Sequence, residues 1–280
     1  MTANPLLHAI SSQLPGDSRL SDALILLLEI TGKDRAWWLA HPEDQLTALE
    51  EKKLETAIKQ LQDGIPLPYV IGHWGFLGLD FIVTPDVLIP RPETELLVET
   101  ALEHIHSIPG REIHILDVGT GSGIIAISLA LNSPGASFSA TDISPLALKI
   151  ARLNAERNHV SDRINFFEAD IVPVAFGKIH FDIICANLPY IPRETLENLE
   201  VFGKEPTLAL DGGKDGLDLI RKLLVFLSRS EIGGTLILLE IEERQAKQVE
   251  NLVNTYLPGA STRIKRDLAG HDRLAMIRIG

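Results

Sequence analysis

His114-Ile115-Leu116-Asp117-Val118-Gly119-Thr120-Gly121-Ser122-Gly123-Ile124 decides the fold. Its first half is an apolar run with the length of a buried strand. The second half places glycine at every other position and then opens an apolar helix over Ile124 to Leu131. Glycine lets a backbone turn tightly and approach a ligand closely. The pattern is Gly-x-Gly-x-Gly, not Gly-x-Gly-x-x-Gly, because position 124 is Ile. That favours a nucleoside without a pyrophosphate over a dinucleotide. The loop also lacks the Lys-Ser/Thr ending of a phosphate-binding P-loop.

Outward from this loop, strand and helix alternate. Phe138 to Thr141 reads as a second strand, with a helix from Pro145 to Asn158. Ile164 to Phe167 and Phe181 to Ala186 read as the third and fourth strands, Leu217 to Leu227 as a helix, and Thr235 to Leu239 as the fifth strand. Two further short strands are expected near Ser261–Lys265 and Leu274–Ile279. The alternation predicts an α/β fold whose mostly parallel sheet is covered on both faces. Ligands bind such sheets beyond the carboxyl ends of the strands. Asp142 sits there, about 20 residues past the glycines, where a carboxylate can hold both ribose hydroxyls. The competing reading makes it a cap for the helix at Pro145. Asp170 follows the third strand, within reach of an adenine amino group, and Ile171 would cover the adenine face.

Asn187-Leu188-Pro189-Tyr190 directly follows the fourth strand and so faces the same ligand. If that nucleoside is a sulfonium methyl donor, transfer is an in-line displacement that needs the nucleophile held on the axis. An amide nitrogen is a weak nucleophile. Two acceptors on its N–H groups would orient it and stabilise positive charge as it develops. The Asn187 side chain offers one carbonyl and the Leu188 backbone another. Pro189 biases Leu188 away from helical angles, and Tyr190 can pack on a flat group. The competing reading is an ordinary turn, since Asn and Pro are turn residues. Arg91 and Glu93 keep two readings: they line the far end of the cofactor, or they cap the helix beginning near Pro92. The role of Glu240, at the end of the fifth strand, also stays open.

Upstream, residues 1–73 read as a small all-α domain. One helix runs through Leu24 to Ile30 and ends at Gly32. Thr47-Ala48-Leu49-Glu50 has the form of a capping box. Leu54, Ala57, Ile58 and Leu61 follow at helical spacing until Gly64 and Pro66. Residues 74–90 read as a β-hairpin linker around Gly78, and 91–280 as the catalytic domain.

The 280 residues carry a net charge of −12, from 26 basic and 38 acidic side chains. That disfavours broad nucleic-acid binding, which depends on neutralising phosphates, and suits a basic protein partner. No apolar run reaches the roughly 18 to 20 residues of a membrane span. A secretory start is not seen. Cys185, the single cysteine, excludes an internal disulfide and a cysteine metal cluster, and no metal site is expected. These features point to a reducing cytoplasm and no membrane partner.

Taken together, the chain resembles the release-factor glutamine methyltransferases of the HemK/PrmC type along nearly its whole length. Thr84 to Glu95, the Asp117–Gly123 loop, Asn187–Tyr190, Glu205-Pro206, Ala209 to Gly213 and Asp267 to Arg273 carry the resemblance. The Ile89–Glu95 and Ala209–Gly213 segments are specific to that family; the other two loops are shared with many methyltransferases. The resemblance implies a class I S-adenosylmethionine-dependent methyltransferase, with a Rossmann-like seven-stranded sheet and a small helical N-terminal domain that helps hold a release factor. It implies N5-methylation of the glutamine in the Gly-Gly-Gln motif of release factors; a monomer with no direct nucleic-acid partner is also expected. Gly119, Thr120, Gly121, Ser122, Gly123, Asp142, Ile171 and Asn187 would contact the cofactor, joined by Asp170 from the residue reading. Asn187, Leu188, Pro189 and Tyr190 would hold the amide. Two positions depart from the family. Leu188 stands where proline is usual, which frees φ at a cost of about 0.4–1 kcal/mol. Ile171 stands where an aromatic ring would stack better on adenine. Asn-Leu-Pro-Tyr is also similar to the loop of ribosomal RNA adenine dimethyltransferases, so adenine-N6 methylation is the alternative. A nonenzymatic module that keeps the nucleotide pocket is a third reading.

Overall fold

The computed structural model describes residues 5–108, 110–230 and 233–280. Two compact units divide the chain, Met1–His73 and Trp74–Gly280. The first unit holds helices α1 (Pro5–Ser11), α2 (Arg19–Thr31), α3 (Arg35–Ala40), α4 (Ala48–Gln62) and α5 (Leu67–Ile71). Gly32 ends α2 in the left-handed conformation at φ 65°, where its N–H reaches the Leu28 carbonyl. Thr47 and Glu50 form both bonds of a capping box at α4. Leu26, Leu27, Trp38, Leu54, Ile58 and Leu61 are buried. Helices α1, α3 and α5 carry no strong periodic signal in the sequence, being five to seven residues long.

Strands β1 (His73–Phe76) and β2 (Leu79–Ile82) form the hairpin. Both turn residues have positive φ, 49° at Leu77 and 74° at Gly78, as a tight hairpin turn demands. That requirement takes Leu77 out of the strand that its apolar character suggests. A 3₁₀ turn over Pro92–Thr94 then leads into α6 (Glu95–Ser107).

The remaining α-helices and strands are β3 (Ile113–Val118), α7 (Ile124–Asn132), β4 (Ala136–Asp142), α8 (Pro145–Arg157), β5 (Ile164–Glu168), β6 (Ile183–Ala186), α9 (Arg193–Leu196), α10 (Asp218–Leu227), β7 (Leu236–Glu240), α11 (Ala246–Tyr256), β8 (Ser261–Arg266) and β9 (Asp272–Arg278), with 3₁₀ turns at Val174–Lys178 and Thr207–Ala209. Seven strands form one sheet in the order β5-β4-β3-β6-β7-β9-β8. Strands β3 to β7 pair in parallel, and β9 is antiparallel to both neighbours. Ile115, Ile183, Cys185 and Leu238 enter one core; Leu116, Val118, Ile184 and Leu239 enter the other. Alternate residues are therefore apolar on both faces, which is why these strands read as continuous hydrophobic runs. The chain order reverses between β3 and β6, so the crevice lies past Val118 and Ala186.

Candidate functional site

That crevice is a cavity of about 630 Å³, within the roughly 300–1,000 Å³ typical of ligand sites. Gly119 to Ser122, Asp142, Asp170, Ile171 and Asn187 to Pro189 line it, together with residues 85–91 and 206–209, while Gly123 of the glycine loop lies outside the lining. Gly119, Gly121 and Gly123 all have positive φ, at 72°, 55° and 86°. A Cβ on Gly123 would lie 2.8 Å from Ile127 Cδ1, so that glycine permits close packing of loop on helix. One on Gly121 would meet nothing within 4 Å. That position is left open on the cavity side.

Fixed partners hold the loop. Gly119 and Thr120 donate N–H bonds of 2.9 Å to the Thr141 carbonyl. Asp117, wholly buried, accepts from Thr120 Oγ1 at 2.6 Å and from Ala126 N at 3.3 Å, which ties loop to helix. Burial pushes the Asp117 carboxyl up to about 7 against these bonds. Asn154, buried on α8, accepts from Ile82 N at 2.7 Å and donates to the Ser122 carbonyl at 2.9 Å, joining hairpin to glycine loop.

Asp142 ends β4 and accepts one bond at each oxygen, from Gly121 N and Ser144 N, both 2.9 Å. It thus orders the glycine loop and the helix start together. Each carboxylate oxygen has a second lone-pair site, so acceptor capacity remains for a ligand. Burial raises its pKa, opposed by these backbone bonds. Ile171 has φ 74°, an outlier for a β-branched residue. Its carbonyl accepts from buried Thr141 Oγ1 at 2.7 Å, which secures the strained turn at the cavity wall. Asp170 is exposed and pairs with Lys222 Nζ at 2.9 Å. A ligand amino group would have to share that carboxylate.

The Asn187–Tyr190 loop draws its partners from distant segments. Asn187 Nδ2 donates to Thr94 Oγ1 at 3.0 Å, leaving its Oδ1 to accept. Leu188 is 4% exposed, and its Cδ2 lies 3.0 Å from where a Gly119 Cβ would sit. The leucine therefore fills space against the glycine loop that a proline ring would not reach in the same way. Tyr190 turns from the cavity: its hydroxyl donates to Glu240 Oε1 at 3.3 Å. Gln245 Nε2 donates to the Tyr190 carbonyl at 2.9 Å. Gly216 is needed there, because its Cβ would come within 2.2 Å of that carbonyl oxygen. A Cβ on Gly212 would lie 2.8 Å from the Pro189 oxygen. The glycines after Ala209 are thus a requirement of close contact with the loop. Residues Asn154, Gln245 and Gly216 carry no motif of their own, and Thr94, though inside the Ile89–Glu95 segment, has no role visible in sequence; only the tertiary structure brings them here.

Glu240 ends β7 and is 2% exposed. Burial pushes its carboxyl up to about 7; the Thr94 hydroxyl, Arg273 and the Tyr190 hydroxyl pull it down, and Glu93 pushes it up. Its Oε2 has no hydrogen-bond partner among the described residues. Burial, and then Glu240, raise the Tyr190 pKa above its ordinary value. Arg91 lines the cavity and pairs with buried Glu205, whose other oxygen accepts from Ile89 N at 3.1 Å. Glu205 thus fixes the segment Ile89–Arg91 along the wall.

Sheet order, glycine loop and acidic strand end together define a class I S-adenosylmethionine-dependent methyltransferase fold with a helical N-terminal region. Residues 94–197 match the ribosomal protein L11 methyltransferase (PrmA) family, and residues 6–72 match the PrmC N-terminal domain. A release factor glutamine methyltransferase of Moorella thermoacetica is 40% identical over 90% of this chain and 88% of its own. One of Coxiella burnetii is 36% identical over 97% of this chain and 96% of its own. The N-terminal domain of human METTL16, solved in complex with SAH, superposes with a TM-score of 0.51 at 18% identity, covering 82% of each chain. The chain belongs to the release factor glutamine methyltransferase family.

Proposed function

We propose that this enzyme methylates N5 of the glutamine in the Gly-Gly-Gln motif of peptide chain release factors, with S-adenosylmethionine as donor. One observation carries the reading. Asn187 lines the cavity with its Nδ2 already given to Thr94 at 3.0 Å, so its Oδ1 is the atom left to receive a substrate N–H. The Leu188 carbonyl, on the next cavity-lining residue, is the second acceptor. Two acceptors fix the plane of a primary amide and favour positive charge on its nitrogen in the transition state. The proton leaves after transfer, once the nitrogen is cationic, so a loop without His or Lys suffices. Pro189 sets the backbone of Leu188.

S-adenosylmethionine, when bound, supplies an electrophilic methyl group. The residues present fit it: the open side of Gly121, the spare acceptor sites of Asp142 and the cover of Ile171 all border one cavity. Gly119 to Gly123 would hold it by close backbone approach, Asp142 at the ribose, Asp170 at the adenine amino group and Ile171 on the ring face. Asn187 would touch it from the chemical side. Residues 1–73 would serve as the recognition domain for the release factor, 74–90 as a hairpin linker and 91–280 as the catalytic domain. The protein would act as a cytoplasmic monomer in translation termination, without direct nucleic-acid contact. Purified release factor and an adenine-containing ribosomal RNA fragment, each incubated with labelled cofactor, test the reading. Label is expected in the release factor alone; label in the RNA alone would make this an adenine-N6 methyltransferase.

A further inference from the structure

Asn187 can present either a carbonyl or an amino group to the cavity, because its side-chain amide is nearly symmetric in shape. Only the carbonyl can accept a substrate N–H. What selects that orientation is one hydroxyl, Thr94, which is wholly buried and takes the Asn187 Nδ2 at 3.0 Å. A hydroxyl that accepts from one neighbour is free to donate its single proton to another. The same four-residue loop reaches buried Glu240 at its other end, where Oε1 takes the Tyr190 hydroxyl at 3.3 Å and Oε2 is an unmet acceptor among the described residues; the Thr94 hydroxyl is one of the groups that lower this carboxyl's pKa.

We propose that Glu240, as a carboxylate, is the positioning residue that fixes the polarity of the Asn187 amide through Thr94, while holding the other end of the loop at Tyr190. This rests on the acceptor role of Asn187 given above. An ionised carboxylate can only accept, so it draws the Thr94 proton to itself and leaves the Thr94 oxygen to receive Asn187 Nδ2. A protonated carboxyl can donate instead. Thr94 then turns its proton toward Asn187, the amide reverses, and an N–H group faces the substrate N–H group. Activity therefore requires the ionised form and declines as pH falls through the Glu240 pKa. The groups that bear on this carboxyl are Arg273 from β9, Thr94 and Glu93 from the turn before α6, and Tyr190 from the loop. Burial places the pKa at about 7, inside an accessible range.

The test measures kcat, KM and cofactor affinity from pH 5.5 to 8.5 for the full-length wild type, Glu240→Gln, Thr94→Val, Thr94→Ser and Asn187→Ala, with release factor as substrate. For Glu240→Gln we expect kcat at pH 8 to drop about 10- to 100-fold, the range for losing a group that orients a ligand. KM and cofactor affinity should hold, and the acidic limb of kcat should vanish. Thr94→Val should match that loss, Thr94→Ser should restore most of it, and the double variant Glu240→Gln/Thr94→Val should be no worse than either alone. If Glu240→Gln does not fold, the Thr94 pair carries the test. Wild-type kcat and an unchanged acidic limb in Glu240→Gln, or full kcat in Thr94→Val, would overturn the assignment while leaving the acceptor role of Asn187 intact. Full turnover in Asn187→Ala would overturn both.

Discussion

Two loops meet at the cavity, and they are built in opposite ways. The glycine loop is held by the strand and helix that come next along the chain, β4 and α8. Its shape follows from positive φ at three glycines, two bonds to the Thr141 carbonyl and one from Gly121 to Asp142. The Asn187–Tyr190 loop is a long-range object. Thr94, Gly212, Gly216, Glu240 and Gln245 hold it, and each lies far from it in sequence. A site that only binds a cofactor can be built from a run of consecutive strands and helices along one sheet edge. A site that must aim a weak nucleophile needs several elements to agree, since small misplacements cost rate. Leu188 is where the two loops touch, its Cδ2 set against Gly119.

Asn187→Ala gives the largest expected effect and separates the two loops most sharply. Turnover should fall about 100-fold or more, as when a transition-state partner is removed. Cofactor affinity should stay within a few-fold, and melting should be little changed. Steady-state kinetics beside a cofactor titration read both; an equal loss in both would erase the distinction.

Next come paired glycine substitutions. Gly216→Ala forces a Cβ to within 2.2 Å of the Tyr190 oxygen. We expect overpacking to cost about 1–3 kcal/mol of stability, read as a lower melting temperature, and turnover to be lost. Gly121→Ala meets nothing within 4 Å but projects from a residue at φ 55°. Its strain is on the order of 1 kcal/mol, and the loss should fall on cofactor affinity. Calorimetry of both variants, with and without cofactor, checks the contrast.

Asp142→Ala should weaken the cofactor by about 1–3 kcal/mol, the cost of an unmet hydrogen bond. Undiminished affinity would remove the ribose assignment. The smallest effect is on stability against pH. Glu240 has its folded pKa raised to about 7, so between roughly pH 4.5 and 7 the native state binds more protons than the unfolded one. Its contribution to stability therefore falls as pH rises across that window. Glu240→Gln should flatten this part of the melting profile; a steeper profile would show the sign to be wrong.

The same contrast governs what could be read from the chain. His114 to Ile124 shows a strand, a turn and a helix because each signal lies within a few residues. The parallel strands β3 to β7 were visible as apolar runs, and β8 and β9 as a terminal pair. Helices α6 and α11 carry helical spacing too: Leu97, Val98, Ala101 and Ile105 recur behind Pro92 in α6, and Val249, Leu252, Val253 and Tyr256 recur in α11. At the site, Asp142 and Asn187 are legible from position, since each stands at a strand end. Tyr190 is legible as a flat ring at the loop's end, but the partner of its hydroxyl, Glu240, is not. Nothing in the sequence near residue 190 names residue 240. The left-handed backbone of Ile171 is likewise invisible, because isoleucine is a poor residue for it and Thr141 is what holds it.

The most direct test locates the methyl group. Release factor is incubated with cofactor and either wild-type enzyme or Asn187→Ala, and the Gly-Gly-Gln peptide is sequenced by tandem mass spectrometry. A single methyl on the glutamine side chain is expected with the wild type, and none with the variant. A methyl at another residue, or an equally methylated glutamine with Asn187→Ala, would contradict the amide clamp.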